Sequence, residues 1–459
     1  MHNELPLPVN FIASNTNQAR PNCSRAQSPA RQSGTRTLGL IALLHGFTHL
    51  YNVALLPLYL PLQQEFKLAS LGQATFLVTA MMIACLGPSY GLGVLADRLN
   101  RKWLLTVGLA INGLGFVGLS CARSYGWALV WVLVAGLGGS FFHPAANSMV
   151  SHLFPDCKGR ALGLVGIGAS LGFFFGSIYS GWRAQQAGWR TPVLELGLAG
   201  LVVAAVFAWL ADDDPVASNP HRQAAGAPRL FDSMQMAALF LGVCGVLSLR
   251  DFAGASMSSL GSLFLQRAHQ FDLAQTGLAL SGIFLASAIS NPLFGRLSDR
   301  ARHRCIAGLI LVSGLIVAVF PRLPRSSLLP ALLVYGFFFM ASYPVVEAAL
   351  MDAVPAGVRG RLTGLFITVG GLLGNTAHWL AGRWVEWLGE ASYQPRGFYG
   401  TYLMLAMLML GSLASLPLLL SIRQRTALRK PAPLSQPLGP EPRCGQANQP
   451  VHASPTVPL

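Results

Sequence analysis

The chain has 459 residues, of which 53% are hydrophobic and only 11% are charged. Soluble domains have about 25% charged residues, so this composition excludes an ordinary soluble globular surface. The net charge is +15, but the basic residues lie in two polar tails and in short segments between apolar blocks. This pattern is typical of a membrane protein and does not predict binding to nucleic acid.

Twelve apolar blocks follow one another along the chain, and a helix needs about 20 such residues to cross a bilayer. The segment 212–233 starts with Asp and Pro residues and divides the blocks six and six. We therefore predict an N-terminal bundle at 38–211, a cytoplasmic linker at 212–233 and a C-terminal bundle at 234–422, with a polar tail at 1–37 and a Pro-rich tail at 423–459. The blocks lie at 38–62, 71–95, 103–122, 127–150, 161–182, 192–211, 234–265, 274–295, 305–321, 328–351, 362–388 and 397–422.

The distribution of basic residues predicts the orientation. The N-terminal tail has four Arg and the C-terminal tail has five basic residues. If both tails are cytoplasmic, the five inner loops have thirteen basic residues and the six outer loops have nine. By the positive-inside rule we expect both termini in the cytoplasm of a multi-pass protein, with the bacterial inner membrane as its location.

The two halves of the chain repeat each other. PAANSMVSHLFP at 144–155 matches PVVEAALMDAVP at 344–355, an offset of 200. GVLADR at 93–98 matches GRLSDR at 295–300, and FKLASLG at 66–72 matches FDLAQTG at 271–277, at offsets of 202 and 205. The expected fold is an all-α polytopic membrane protein, with twelve transmembrane helices in two pseudo-symmetric six-helix bundles and the substrate handled between them.

The repeated GVLADR and GRLSDR loops resemble the signature loop of the major facilitator superfamily, over roughly residues 38–422. This resemblance implies a secondary transporter that works by alternating access. It departs from the family pattern at Asn100 and Arg302, where Gly is usual. An Asp at a helix end accepts hydrogen bonds from a neighbouring helix, so the loops are expected to gate the cytoplasmic side or, alternatively, only to fix topology. The predicted gating residues are Gly93, Asp97, Arg98, Arg101, Gly295, Asp299, Arg300 and Asp352.

The first block presents His45, His49 and Asn52 on one helical face. This stretch is locally similar to the fosmidomycin-resistance-like branch of the superfamily, which favours export. Many exporters have a Gly-Pro pair late in helix five, whereas this chain has Gly176-Ser177, which counts against export. The histidines have either a packing role or a cavity role. No metal site is predicted, because no carboxylate or third His accompanies them in the block.

Ionisable residues inside apolar blocks are costly and usually functional. Arg250, the repeat partner of His45, is expected to face a water-filled cavity and to bind an anionic substrate group; the alternative is a salt bridge. Glu347 and Asp251 are candidates for proton coupling, because burial of a carboxyl favours its protonated form. Asp352 is expected to pair with Arg300. The predicted substrate-binding residues are His45, His49, Asn52, His143, Arg250, Asn375 and His378.

The sequence has no nucleotide loop, nucleophile elbow or paired-carboxylate pattern, so we expect neither an enzyme nor a cofactor. The leading hypothesis is a proton-coupled efflux transporter for a small organic or amphiphilic compound, anionic if Arg250 binds it. The alternatives are proton-coupled uptake of a small organic anion and a membrane sensor that has lost transport. The expected partners are the substrate, protons and the lipid bilayer, and the expected state is a monomer.

Overall fold

The computed structural model describes residues 29–89, 91–92, 99–155, 157–213, 230–354 and 358–428. Three predicted gating residues, Gly93, Asp97 and Arg98, lie outside this part of the chain. The first-half helices are α1 Pro29–Ala54, α2 Tyr59–Glu65, α3 Leu71–Leu86, α4 Arg101–Cys121, α5 Tyr125–Ser140, α6 Phe142–Leu153, α7 Lys158–Ala187 and α8 Arg190–Leu210. The second-half helices are α9 Met234–Ala268, α10 Leu273–Leu285, α11 Ser287–Val319, α12 Leu328–Ala353, α13 Arg359–Leu388, α14 Tyr399–Gly411 and α15 Ser415–Leu428.

Nine helical segments among the described residues are long and apolar enough to cross a membrane. One of them, Leu273–Arg322, has 50 residues. A straight helix of that length would extend about 75 Å, more than twice the hydrocarbon thickness. Instead the backbone leaves helical geometry at Ala301, with φ −148° and ψ 55°, so α11 turns back and provides parts of two passes. Together with the apolar α3 and the 30-residue α13, these segments are consistent with twelve passes and confirm the all-α polytopic fold.

The two halves meet along two helix pairs. Helix α3 packs against α13, and α7 packs against α10. The repeat relates these two contacts, since α3 corresponds to α10 and α7 corresponds to α13. Within the halves, α1 packs along α7 and α9 packs along α13. The substrate route expected between the halves is therefore bounded by α3, α7, α10 and α13. The exact domain boundaries stay predictions.

Glycines bring the packed backbones into direct contact. A Cβ on Gly172 of α7 would meet the Gly46 carbonyl of α1, and one on Gly277 of α10 would meet the Ser177 carbonyl of α7. Such small residues replace side-chain burial as the means of helix association in a bilayer. The Gly277 contact lies at the end of the bundle away from the start of α1. We call that end the far side and the opposite end the tail side.

Candidate functional site

Three histidines of the first half form a cluster. Helix α1 contributes His45 and His49, and α6 brings His143 against them. The ring centroids of His45 and His49 are 4.6 Å apart, and that of His143 lies 5.3 Å from His45 and 5.5 Å from His49. All three side chains are half-buried. The sequence predicted His143 as a substrate-binding residue but did not group it with His45 and His49, because it comes from another helix.

The ring nitrogens that carry hydrogen in this cluster can be assigned from the contact between His45 and the Val165 carbonyl. The Nδ1 of His45 lies 2.9 Å from the Val165 carbonyl, which can only accept, so Nδ1 carries the hydrogen. The Nε2 of neutral His45 then accepts from the Nε2 of His49 at 3.0 Å. The Nδ1 of His49 in turn accepts from the Asn52 amide at 3.4 Å. The predicted residues His45, His49 and Asn52 thus form one directed hydrogen-bond chain along α1.

The cluster reaches the boundary between the halves through aromatic rings. His49 lies against Phe173 of α7 at a centroid distance of 4.3 Å. Phe173 stacks on Phe284 of α10 at 4.6 Å. His45 stacks on Phe142 at 4.6 Å. The histidines therefore lie beside the boundary of the two halves, within an aromatic wall.

In the second half, Arg250 of α9 is 1% exposed and forms an ion pair with Asp251. Its Nη2 and Nε donate to the Asp251 carboxylate at 2.7 and 3.0 Å. The guanidinium also lies over the ring of Tyr343 at 4.3 Å, and its Nη1 donates to the Ser342 carbonyl at 3.4 Å. A Cβ on Gly370 of α13 would be 3.3 Å from the carboxylate of Asp251.

This geometry corrects the expectation that Arg250 faces a water-filled cavity. Adjacent residues diverge by about 100° on a helix, but the long Arg side chain folds back to its neighbour. The buried cation is compensated by Asp251 and by the face of Tyr343. The structure therefore favours the ion pair, while a contact between Arg250 and substrate stays a prediction.

The two sites occupy equivalent positions in the repeat. His45 corresponds to Arg250 at an offset of 205, and His143 corresponds to Tyr343 at an offset of 200. Within the first half the rings of His45 and His143 are in contact, and within the second half the Arg250 guanidinium lies over the ring of Tyr343. Sequence reasoning paired His45 with Arg250 but missed Tyr343, although the PAANSMVSHLFP repeat already placed it opposite His143. The same backbone position therefore has imidazoles in one half and a salt-bridged guanidinium in the other.

A second polar chain joins the halves and contains two predicted residues, Asn375 and His378. The Asn375 amide nitrogen donates to the Gly371 carbonyl at 2.7 Å, so its oxygen accepts from Nε2 of His378 at 3.1 Å. Nδ1 of neutral His378 then accepts from the Ser259 hydroxyl at 2.5 Å. Ser259 accepts from the Tyr59 hydroxyl at 2.6 Å. Tyr59 lies in the first half and Ser259 in the second, so this bond crosses the boundary.

Further bonds across the boundary surround this chain. The Thr79 hydroxyl donates to the Asn375 carbonyl at 2.9 Å. The Gln266 amide donates to the Pro57 carbonyl at 3.2 Å, close to Tyr59 in sequence. The Leu273 amide donates to Gln185 at 3.1 Å. These contacts lie in the middle and on the far side of the bundle, where the halves are closed against each other.

On the tail side, the predicted gate pair of Asp352 and Arg300 is wrong. Asp352 instead binds Arg302, which also binds Asp299 at 3.0 Å. The reason is the backbone turn at Ala301, which directs the residue after it, and not the residue before it, towards α12. Arg300 is exposed. Arg302, which stands where the signature pattern usually has Gly, thus supplies the cation that binds both Asp299 and Asp352.

The first signature loop shows a similar substitution. Asn100 is the N-cap of α4, and its side chain accepts from the Lys102 amide at 3.0 Å. An Asn at this position satisfies a helix-end amide that a Gly would leave to solvent. Arg101 contacts Nδ1 of His152 at 3.2 Å, and the Lys102 ammonium pairs with Asp213 at 3.2 Å. The contacts of Arg101 with His152 and of Arg302 with Asp352 each join residues of the same half, and Asp213 lies just after α8 of the first half.

Glu347 lies on α12, one helical turn from Tyr343, and is half-buried. Within the described part of the chain its carboxyl has no hydrogen-bond or ion-pair partner, in contrast to Asp251. Burying an unpaired carboxylate is costly, whereas the protonated form is tolerated. This favours Glu347 over Asp251 as the proton-binding group.

The long apolar helices, the internal repeat and the polar groups between two halves define a multi-pass integral membrane transporter. The sequence profile of the Major Facilitator Superfamily matches residues 39–374 and 243–453. The chain belongs to the major facilitator superfamily, whose members are transporters and not enzymes, as the sequence led us to expect.

Among curated proteins, the chain is similar to the multidrug resistance protein MdtH of Shigella dysenteriae serotype 1 (strain Sd197). The two are 26% identical over 337 residues, which covers 69% of this chain and 79% of that protein. MdtH of Escherichia coli (strain K12 / DH10B) is 26% identical over 338 residues, with the same coverage of 69% and 79%.

Two solved structures show the same fold. A bacterial homologue of the human lysosomal transporter Spinster, in an inward-facing and unoccupied conformation, has a TM-score of 0.67 at 16% identity and covers 87% of this chain and 99% of its own. A mutant of the nucleoside transporter NupG has a TM-score of 0.65 at 15% identity, and the match covers 86% of this chain and 100% of the NupG chain.

Proposed function

We propose that this chain exports small organic or amphiphilic compounds from the bacterial cytoplasm in exchange for protons, by alternating access between its two halves. The observation that carries the proposal is the distribution of contacts between the halves. Polar bonds close the middle and the far side, whereas the described ion pairs of the tail side stay within each half. This is the arrangement of a carrier open towards its tails, and basic-residue counting assigns the tails to the cytoplasm.

Proton coupling is assigned to Glu347. Its carboxyl has no partner among the described residues and follows Tyr343 on the same face of α12. A change in solvent exposure between two conformations would change its proton affinity, which is the requirement for coupling. Similarity to the MdtH multidrug resistance proteins supports export. The second candidate is proton-coupled uptake of a small organic anion, which a contact between the buried cation of Arg250 and substrate would favour.

The test is a transport assay with purified protein in liposomes. An acidic lumen should drive ethidium, a permanent amphiphilic cation, into the liposomes if the carrier exchanges substrate for protons. Proton symport would move substrate in the opposite direction, so the sign separates the two candidates for either orientation of the protein. Ethidium transport at the same rate and to the same extent with and without the pH gradient would refute proton coupling.

A matched pair of variants tests the assigned carboxyl. Glu347→Gln should abolish accumulation driven by the gradient while leaving exchange of substrate down its own gradient. Glu390→Gln, at an exposed far-side carboxyl, should behave as the wild type. Equal accumulation in both variants would exclude Glu347 as the coupling residue.

A further inference from the structure

We propose that His45, His49 and His143 bind one divalent transition-metal ion, with a fourth coordination position open towards the boundary between the halves. Each histidine offers one ring nitrogen, and these three atoms lie within 4.8 Å of one another. Three imidazoles are a sufficient protein ligand set for zinc when water or substrate takes the fourth position.

The ring spacing fits such an ion. With metal–nitrogen bonds of about 2.0–2.1 Å and tetrahedral angles, two bound nitrogens lie about 3.3–3.4 Å apart and two ring centroids about 5.2 Å apart. The observed Nε2–Nε2 distance between His45 and His49 is 3.0 Å. The three centroid distances are 4.6, 5.3 and 5.5 Å. The three nitrogens lie within 4.8 Å of one another, so side-chain rotations that shorten the widest separation to about 3.4 Å convert the cluster into a coordination sphere.

The outer contacts orient two of the ligands. The Val165 carbonyl holds the hydrogen of His45 on Nδ1, which leaves Nε2 as a lone-pair donor. A carbonyl behind a ligating histidine is the usual means of fixing its tautomer. Asn52 lies behind Nδ1 of His49 and can accept from it after a turn of the amide, when Nε2 binds metal.

His143 supplies a second observation that favours a ligand. In the described part of the chain neither of its ring nitrogens has a hydrogen-bond partner, and the half-buried ring packs against His45, His49 and Phe142. A metal ion would satisfy one of these two nitrogens and would replace the single hydrogen bond between His45 and His49.

The donor set also selects the kind of metal. Imidazole nitrogen suits zinc, copper, nickel and cobalt, whereas magnesium and calcium require oxygen ligands. The three ligands are neutral, so the ion keeps its double positive charge and favours an anionic or polar group at its open position. The equivalent position of the second half already has a fixed cation, Arg250, and therefore does not provide a second metal site.

The experiment is a titration of the purified, full-length protein in detergent with Co²⁺, whose visible absorption reports coordination geometry. The protein is purified through a tag without histidines. We expect one Co²⁺ per chain, a tetrahedral or five-coordinate spectrum, displacement by Zn²⁺ and no displacement by Mg²⁺. Zn²⁺ should also raise the thermal unfolding midpoint of the wild type.

Variants make the test specific. His143→Gln should weaken binding by about 100-fold or more, and Asn52→Ala by about 10-fold, the scale of an outer partner. His303→Gln, at a histidine on the tail side, should leave affinity unchanged. Each variant must elute as a single species with an unchanged unfolding midpoint in chelator. Absence of 1:1 binding, or binding that survives His143→Gln, would overturn the proposal. Neither readout depends on transport, so this failure is distinguishable from failure of the exporter assignment.

Discussion

Replacement of Arg250 by Met should destabilise the protein by about 3–5 kcal/mol, because it leaves the carboxylate of Asp251 without its cation in an apolar bundle. The geometry supports this size. Two unit charges about 4 Å apart at an effective dielectric constant of about 20 attract by about 4 kcal/mol. The two bonds of 2.7 and 3.0 Å make the contact close, and the side chains are only 1% and 15% exposed.

The decisive measurement is a double-mutant cycle. Arg250→Met and Asp251→Asn keep the approximate volumes and remove one charge each, and the double variant removes both. Thermal unfolding in detergent should rank each single variant well below the wild type, with the double variant within about 1 kcal/mol of it, since a matched neutral pair costs little. Arg250→Lys should lie between, because an ammonium keeps the charge but not the two-atom contact.

Transport by the same four proteins separates structure from binding. If the pair is structural, the double variant should recover transport together with stability. Recovery of stability without transport would show that Arg250 contacts the substrate, and additive losses of stability would refute the ion-pair reasoning altogether.

Two further outcomes follow from the contacts between and within the halves. Tyr59→Phe removes the donor to Ser259 and should shift the population about fivefold, or about 1 kcal/mol, towards the state closed on the tail side. Spin-label distances across the far side should then increase. An unchanged distance distribution would contradict the role of this bond in closing the far side. Arg302→Gln should reduce turnover at unchanged expression, whereas Arg300→Gln should not, since of the two only Arg302 contacts Asp352. Equal turnover of the two variants would exclude a role of this ion pair in transport.

The fold could be predicted from the sequence because hydropathy and the repeat are long-range patterns. A block of about 20 apolar residues specifies a membrane helix whatever its neighbours are. The repeat identified His45 and Arg250 as equivalent positions without coordinates, but it did not predict the neighbours that the structure gives them, His143 and Tyr343. The turn at Ala301 was harder to predict, because a charged segment between two apolar blocks does not define which Arg contacts Asp352.

Contacts between helices could not be predicted in the same way. His143 is 94 residues from His49, and their proximity depends on the packing of α6 against α1. The environment of Arg250 was not predicted correctly for a related reason. Whether a buried cation contacts water or a carboxylate depends on side-chain rotamers and on the glycines of α13. The Tyr59–Ser259 bond depends on the conformational state of the carrier, which no local pattern encodes.

The second polar chain, which runs by hydrogen bonds from Tyr59 through Ser259, His378 and Asn375 to the Gly371 carbonyl, has an electrical consequence. A proton moves along hydrogen bonds only if every donor and acceptor can exchange roles. Here the last link is an amide whose nitrogen is held by a carbonyl at 2.7 Å, and an amide nitrogen does not accept. We therefore expect the chain to insulate. It closes the far side with polar groups and still prevents protons from leaking through the resting carrier, so the gradient across the membrane is not dissipated between transport cycles.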